Sequence, residues 1–184
     1  MACALALGCP KQASAPPDRS RPSVAEYYPL AVGNRWTYQA NLLGERRVRQ
    51  VEIVKQEGNY FIDNQGGELT VDALGIRDRK RYLIREPLEI GSSWTNVVSV
   101  SSVEHYRVLD VGSCDAPAGH FDDCVRVEGR NRVDDRTTLV NELTFAAGTG
   151  IVRVEVVAEV EGKRVPQTQL LLTRFEAVGS GQRR

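Results

Sequence analysis

The stretch Pro29-Leu30-Ala31-Val32-Gly33-Asn34-Arg35-Trp36-Thr37 returns later in the chain as Pro87-Leu88-Glu89-Ile90-Gly91-Ser92-Ser93-Trp94-Thr95. Gly91 follows Gly33 by 58 residues, and the two tryptophans of the protein occupy the same place in the two copies. A second pair of similar stretches, 68–76 and 142–151, follows the two copies in the same order. Two motifs repeated in one order predict a tandem duplication of a β-rich unit, with unit one at 27–86 and unit two at 87–178.

The repeated motif has the composition of a strand entry. Proline cannot donate to a sheet ladder, so it marks where the chain arrives from outside the sheet. Gly33 and Gly91 permit a positive φ or a tight bend. Trp36 and Trp94 then open a strand and bury a large ring where its N–H can still find an acceptor. We expect these four residues to be structural anchors that seal opposite ends or both edges of a shared core, with ligand stacking by the tryptophans as the alternative.

The rest of the folded part predicts strands almost throughout. Between 152 and 161 small apolar residues alternate with mainly charged ones, as in a half-buried strand. Nine further β-type runs are separated by turn-forming clusters, and one helical turn at most is expected at 24–28; the runs are 36–42, 48–55, 60–63, 68–74, 80–85, 105–111, 124–128, 137–145 and 167–177. Short connections favour an antiparallel meander. We therefore predict an all-β fold in which the two repeated units form one barrel-like or half-barrel body.

The N-terminal residues Ala4-Leu5-Ala6-Leu7-Gly8-Cys9 resemble the end of a bacterial lipoprotein signal peptide, in which the cysteine thiol receives a diacylglyceryl group. The residues after Cys9 are rich in Pro, Ala, Ser and Arg, a composition that suits a tether. We predict a truncated signal segment at 1–9, lipidation of Cys9, a disordered tether at 10–26 and a disordered tail at 179–184. The alternative for the first segment is a short apolar tail. By resemblance to enterobacterial lipoprotein sorting, Pro10 in place of aspartate favours an outer-membrane lipoprotein that faces the periplasm and contacts the membrane through its lipid anchor.

Cys114 and Cys124 flank the turn signal Pro117-Ala118-Gly119, so a hairpin there brings the two thiols together. In an oxidising compartment this arrangement predicts a disulfide. The alternatives are two buried free thiols or a metal pair completed by His120. Zinc takes about four ligands, whereas the chain has two histidines in all, so we predict no metal site.

Charge and motifs exclude several classes of function. The formal net charge is zero, which gives no long-range attraction to nucleic acid or to an anionic membrane surface. No phosphate loop, dinucleotide fingerprint or nucleophile elbow is present. We therefore predict no cofactor, no nucleic-acid partner and no enzymatic activity. The densest charge cluster predicts an edge strand protected by charge, with an anionic-ligand patch for a phosphate or lipid headgroup as the alternative; it comprises Arg77, Arg79, Lys80, Arg81 and Arg85.

Several short motifs together resemble a known group of proteins. They are Tyr28-Pro29-Leu30-x-x-Gly33-Asn34-x-Trp36-x-Tyr38, then Gly75-Ile76, then Pro117-Ala118-Gly119-x-Phe121-x-x-Cys124-x-x-Val127, and Gly148-x-Gly150-Ile151-Val152-Arg153. This set resembles uncharacterised exported β-rich proteins and lipoproteins of proteobacteria that carry a YPLxxGNxWxY motif. The likeness covers most of 27–176. It implies the fold and export, and the group has no established activity to carry over.

Two functions from different classes follow. The first is a non-enzymatic cell-envelope lipoprotein that acts as an interaction or assembly module, with other envelope proteins as partners. The alternative is a carrier of lipid or another hydrophobic ligand in a half-barrel cavity, lined by the Leu170-Leu171-Leu172 run and the valine strand. A filled interior favours the first, and an open apolar cavity favours the second. An enzyme would require His105 or His120 to meet a carboxylate at the base of a cleft.

Overall fold

The computed structural model describes residues 21–179, which form one antiparallel sheet of twelve strands after a single 3-10 turn at Val24–Tyr27. In chain order the strands are β1 (Arg35–Leu42), β2 (Glu45–Glu57), β3 (Tyr60–Asp63), β4 (Glu68–Asp72), β5 (Gly75–Arg77), β6 (Tyr82–Arg85), β7 (Ser93–Ser99), β8 (Ser102–Ala116), β9 (Gly119–Arg132), β10 (Thr137–Ala146), β11 (Gly150–Val160) and β12 (Lys163–Glu176).

The order of the strands makes the sheet a nearly closed ring. It runs β6-β5-β4-β3-β2-β1-β12-β11-β10-β9-β8-β7, so the first and last strands pair in the middle. The two edge strands, β6 and β7, are consecutive in the chain and meet through side chains, because Nε1 of Trp94 donates to the carbonyl of Tyr82 at 3.0 Å. The predicted all-β antiparallel meander with a barrel-like body is confirmed.

Strand direction defines two ends of this body. Since neighbours are antiparallel throughout, every odd-numbered strand begins at the same end. Trp36 and Trp94 are the second residues of β1 and β7, so we name this the Trp end. The opposite hairpin end carries the turns that join β1 to β2, β3 to β4, β5 to β6, and so on. The tryptophans do not seal opposite ends, because β1 and β7 run in the same direction. They do not mark both edges of the sheet either, because β7 is an edge strand and β1 lies in the middle of the strand order.

The sequence-predicted runs each overlap a strand, but two strands lay outside them, although the repeated motif had predicted that a strand begins at Trp94. β5 is three residues long, too short to show an alternating pattern. β7 reads SWTNVVS, in which polar residues occupy buried as well as exposed positions. The missing signal at β7 has a structural reason: Asn96 lies inside the body and is bonded to the opposite edge strand.

The two copies of the repeated motif adopt the same local structure. Gly33 and Gly91 have φ values of 94° and 90°, a region open to glycine. Three backbone hydrogen bonds recur in each copy: Asn34 N to Ala31 O, Gly33 N to Ile53 O and Ile53 N to Asn34 O, against Ser92 N to Glu89 O, Gly91 N to Val108 O and Val108 N to Ser92 O. The first copy of the motif precedes strands β1–β6, and the second copy precedes strands β7–β12. The tandem duplication and its unit boundaries remain predictions, and these matching bonds support them.

Both tryptophans are packed in the core. Trp36 is fully buried, stacks on Phe175 with ring centroids 5.2 Å apart, and donates to the carbonyl of Thr149 at 2.6 Å. Trp94 stacks on Tyr106 at 5.5 Å. Both indole N–H groups therefore have partners within the protein, and both rings are almost entirely buried. This packing supports a role as structural anchors.

The core fills the Trp end. Tyr27, Tyr28 and Phe145 are buried there beside Trp36. The tip of the β8–β9 hairpin folds onto this end and is fastened by a hydrogen bond of 2.9 Å from Ala118 N to the carbonyl of Leu172. Dense packing at one end leaves the lumen to open at the other.

The predicted lipidation site Cys9, the signal segment 1–9, most of the tether 10–26 and all but the first residue of the tail 179–184 lie outside the described residues. Within the described part of the predicted tether, Val24 is already buried in the core. No helix between 21 and 179 is both long enough and apolar enough to pass through a membrane.

Candidate functional site

The lumen contains a cavity of about 610 Å³. This volume lies within the range of about 300–1,000 Å³ that is usual for small-molecule sites. Its wall is formed by apolar and aromatic side chains from five strands and the segment before β1, namely Tyr28, Tyr38, Val51, Leu69, Ile151, Val154 and Leu170. The cavity is thus a predominantly apolar space inside the sheet.

Strand register explains why these side chains meet. Residues directly opposite each other in an antiparallel pair share one face of the sheet. Leu170 is opposite Ala40 on one side and Val154 on the other, and Ala40 is fully buried. Leu170 and Val154 therefore point inward, yet each is only half-buried. Inward apolar residues that keep partial exposure indicate an unfilled lumen.

Two tyrosines form the floor of the cavity. The hydroxyl of Tyr38 donates to the carbonyl of Ile151 at 2.9 Å. Burial raises the pKa of Tyr38 well above its ordinary value, and burial together with the nearby Asp63 carboxylate raises the pKa of Tyr28. Both hydroxyls consequently stay protonated and uncharged at neutral pH.

Charged residues surround the mouth at the hairpin end. It is lined by Arg49 of β2, by the β3–β4 turn and by the β5–β6 turn. Arg49 is opposite Tyr38 in the β1–β2 register and so projects into the lumen. Arg79 forms an ion pair with Glu68, and its guanidinium lies 4.3 Å from the ring centroid of Tyr60. An apolar interior with a charged rim is an arrangement suited to amphipathic molecules.

The structure divides the predicted anionic-ligand patch among different environments. Arg79 and Lys80 line the cavity mouth. Arg85 lies over the ring of Tyr82, with 5.5 Å from guanidinium carbon to ring centroid. β6 is an edge strand of the sheet, which is the position that its charge pattern indicated. Arg77 lies 5.7 Å from the ring centroid of Tyr60 and 5.9 Å from that of Tyr82, so these two rings connect it to Arg79 and Arg85. The anionic-ligand patch stays a prediction.

Arg77 is held in a structural cluster beside the β4–β5 turn. Its Nε donates to Asp72 at 2.8 Å and its Nη1 to the hydroxyl of Tyr60 at 2.9 Å. Partial burial of Asp72 opposes ionisation, but hydrogen bonds from Leu74 N, Arg77 and Tyr82 outweigh it and lower the pKa of Asp72. Because Arg77 forms an ion pair with Asp72, its guanidinium has a structural role.

Arg81, in the β5–β6 turn, forms an ion pair with a buried carboxylate on β8. Its Nη1 lies 3.2 Å from Oε1 of Glu104 on β8, whose side chain is almost fully buried. Glu104 Oε2, Arg81 Nε and Asn131 Oδ1 are buried without a hydrogen-bond partner. Glu104 is opposite Asn131 in the β8–β9 register. This ion pair joins β8 to the β5–β6 turn across the seam between β6 and β7.

The predicted disulfide between Cys114 and Cys124 is present and links β8 to β9. Next to it lies a second, smaller cavity of about 320 Å³, whose lining is largely charged. Ion pairs of 3.8 Å between Arg126 and Asp110 and of 2.9 Å between Arg153 and Glu155 occupy that lining. It has none of the apolar wall of the lumen cavity.

The two histidines lie on the outside of the body. Nδ1 of His120 is 2.8 Å from Asp115, and this hydrogen bond raises the pKa of His120. The His120 side chain is 58% exposed beside the β8–β9 turn, so the pair is not at the base of a cleft. His105 contacts the hydroxyl of Thr95 at 3.2 Å. The absence of enzymatic activity stays a prediction.

Sequence reasoning missed Arg49, a cation that lines the mouth. A signal was available: with a period of two, Arg49 is on the same face of β2 as Val51 and the buried Ile53. A charged residue in phase with core residues indicates a lumen that is not filled at that level. In the described part of the chain, no group of three or more acidic, histidine or cysteine side chains is placed to hold a metal ion.

Comparisons with known proteins give limited information. No protein-family model matches the chain, and no curated protein matches it. Two crystal structures are similar to it, each over 82% of this chain and 98% of the other, with a TM-score of 0.43. One is a predicted lipoprotein from Parabacteroides distasonis ATCC 8503, at 11% identity. The other, at 12% identity, is a predicted exported protein with a YmcC-like fold from Bacteroides fragilis NCTC 9343.

Proposed function

We propose that this protein binds a hydrophobic or amphipathic small molecule in its lumen. The observation that carries the proposal is the cavity of about 610 Å³ with its wall of apolar and aromatic side chains. Burying an apolar ligand surface against such a wall is favourable by about 25 cal/mol per Å². An open apolar cavity was the feature that distinguishes a carrier from an interaction module, so the carrier takes first place.

The test is native mass spectrometry of the full chain with Cys9→Ser, purified without detergent. The substitution prevents acylation at Cys9, so any lipid mass belongs to the folded body. Leu170→Trp places an indole in the lumen. Its matched control is Leu171→Trp, because Leu171 is opposite Arg153 and Gln39 and points to the outer face.

We expect a reproducible co-purified mass on the parent protein and on Leu171→Trp, and its loss from Leu170→Trp. Circular dichroism checks that each variant is folded. If Leu170→Trp fails to fold, Val154→Phe replaces it, because Val154 is opposite Leu170 across β11 and β12. A mass that persists in a folded lumen-filled variant, or no bound mass on any protein, contradicts the proposal.

We further propose that the body is anchored to the outer membrane, on the periplasmic side, through a lipid on Cys9. The lipoprotein-type segment at 4–9 and its resemblance to proteobacterial lipoproteins support this placement. The check is metabolic labelling with tritiated palmitate followed by membrane fractionation. We expect label on the parent and none on Cys9→Ser. Equal labelling of both proteins contradicts the anchor.

An interaction module is the second candidate, and one surface favours it. The β7–β8 hairpin tip exposes three valines, Val97, Val100 and Val103, of which Val100 is completely exposed. Clustered exposed apolar side chains commonly mark sites of protein contact. A photo-crosslinking residue at Val100 is expected to capture one discrete envelope protein, whereas the same residue at exposed Leu74 near the Trp end is not. Identical patterns from the two positions contradict this candidate.

A further inference from the structure

The cavity mouth carries two cations that form no ion pair with a carboxylate of residues 21–179. Arg49 has the neutral amide oxygen of Gln65 as its side-chain partner. The ammonium of Lys80 has no side-chain partner among residues 21–179. Both side chains are exposed, and both line the cavity. Their hydrogen-bond donors are therefore available at the point where the lumen meets solvent.

The three carboxylates of the same rim already have ion-pair or hydrogen-bond partners, although Asp63 uses only one of its two oxygens. Glu68 is paired with Arg79. Asp78 is paired with Arg81 at 3.2 Å and accepts two backbone N–H groups at 2.7 Å. Asp63 accepts backbone N–H groups from its own turn at 2.7 and 2.8 Å. Free donor capacity at the mouth thus exceeds free acceptor capacity.

We propose that the lumen ligand is a single-chain amphiphile with an anionic head group, held between Arg49 and Lys80. Its chain lies against Val51, Val154 and Leu170. This inference rests on the proposed function and adds the chemical class of the ligand. A guanidinium fork and an ammonium suit a carboxylate, which accepts several hydrogen bonds at once.

The size of the cavity favours one chain over two. About 610 Å³ is a volume for one drug-sized ligand. The position of the cations adds to this: both lie at the mouth, while the floor at Tyr28 and Tyr38 is apolar apart from uncharged hydroxyls. A head group at the rim and a chain directed toward the floor match this distribution.

An amphiphile with a cationic head group is the competing ligand class, because the Asp63 carboxylate also lines the cavity. Isothermal titration of the full chain with Cys9→Ser distinguishes the cases, using dodecanoate, dodecan-1-ol and dodecylamine. We expect dodecanoate to bind at least about tenfold more tightly than the alcohol, the difference that one charge-assisted contact gives. Added salt should weaken dodecanoate and leave the alcohol unchanged.

The variant is Arg49→Gln with Lys80→Gln, and the matched control is Lys55→Gln with Arg174→Gln, two cations in surface ion pairs. The first pair should lower dodecanoate affinity about tenfold and leave dodecan-1-ol within about twofold. The control pair should change neither. The comparison of three ligands on the parent protein keeps the test valid if a variant does not fold.

Different outcomes contradict the anionic head group and the existence of a ligand site in the lumen. Equal binding of dodecanoate and dodecan-1-ol, or tighter binding of dodecylamine, overturns the anionic head group and leaves an apolar ligand in place. Absence of binding for all three ligands on folded protein overturns the lumen site itself.

Discussion

The side-chain amide of Asn96 on β7 bonds both backbone groups of Tyr82 on β6. Its Oδ1 accepts from Tyr82 N and its Nδ2 donates to Tyr82 O, each at 3.0 Å. An amide that gives and receives in this way imitates the peptide group of a paired strand. Together with the indole N–H of Trp94, which also donates to Tyr82 O, this amide joins the two edge strands where no backbone ladder connects them.

Asn96→Ala should lower the free energy of unfolding by about 2 kcal/mol, because it leaves the backbone N–H of Tyr82 without its partner and removes one of the two donors to the Tyr82 carbonyl, the other being Trp94 Nε1. Chemical denaturation measures this loss. The matched control is Thr95→Ala, on the outer face of the same strand, with an expected loss below about 1 kcal/mol. Equal losses for the two variants would show that the amide does not close the seam.

Replacing each tryptophan with phenylalanine tests its structural role. Trp36→Phe and Trp94→Phe each remove an indole N–H that donates to a backbone carbonyl. Each also replaces a stacked indole with a smaller phenyl ring. We expect each variant to lose about 2 kcal/mol of unfolding free energy. Leu74→Ala, at an exposed position, should stay within about 0.5 kcal/mol of the parent. Unchanged stability together with weaker ligand binding would assign the tryptophans to ligand stacking instead.

The disulfide closes a short hairpin, since its cysteines are 10 residues apart. Chain-entropy arguments give about 2–3 kcal/mol of stabilisation for a loop of this size. Denaturation with and without a phosphine reductant should show this difference in the parent protein. The variant with both Cys114→Ser and Cys124→Ser should be insensitive to the reductant. A parent protein that is equally stable in both conditions would rule out a stabilising bond.

His120 should titrate above its ordinary pKa of 6.5, because Asp115 accepts a hydrogen bond from the protonated ring. A raised folded-state pKa means that the stabilisation is present below pH 6.5 and disappears as the pH rises through the folded-state value. Nuclear magnetic resonance (NMR) titration of the ring measures this. Asp115→Asn should lower the pKa more than Asp122→Asn, since the Asp122 carboxylate lies farther away, at 3.7 Å. A larger effect of Asp122→Asn would contradict the assignment.

The fold was predictable from the sequence because its signals are local. Alternation in 152–161, turn clusters and the repeated tryptophan motif each depend on neighbours in the chain. The disulfide between Cys114 and Cys124 was equally predictable, because consecutive residues between the two cysteines encode the turn that brings them together. The extent of strand β7 was harder to predict, because Asn96 is buried to contact Tyr82 and so interrupts the alternation of apolar and polar residues.

The cavity could not be located from sequence in the same way. Its wall combines Val51, Leu69, Val154 and Leu170, which come close only when β1 pairs with β12 and the sheet curls. The charge cluster at 77–85 indicated an edge strand and a possible anion site, but the sequence did not separate Lys80 from Arg77. That separation depends on which carboxylate lies within reach of each cation.

Methyl-labelled NMR of the Cys9→Ser protein during addition of dodecanoate locates the ligand residue by residue. We predict saturable shifts for the methyl groups of Val51, Val154 and Leu170, with none at the exposed Val48 and Val100. Shifts restricted to the exposed methyl groups, or no shifts from folded protein, would contradict a ligand site in the lumen.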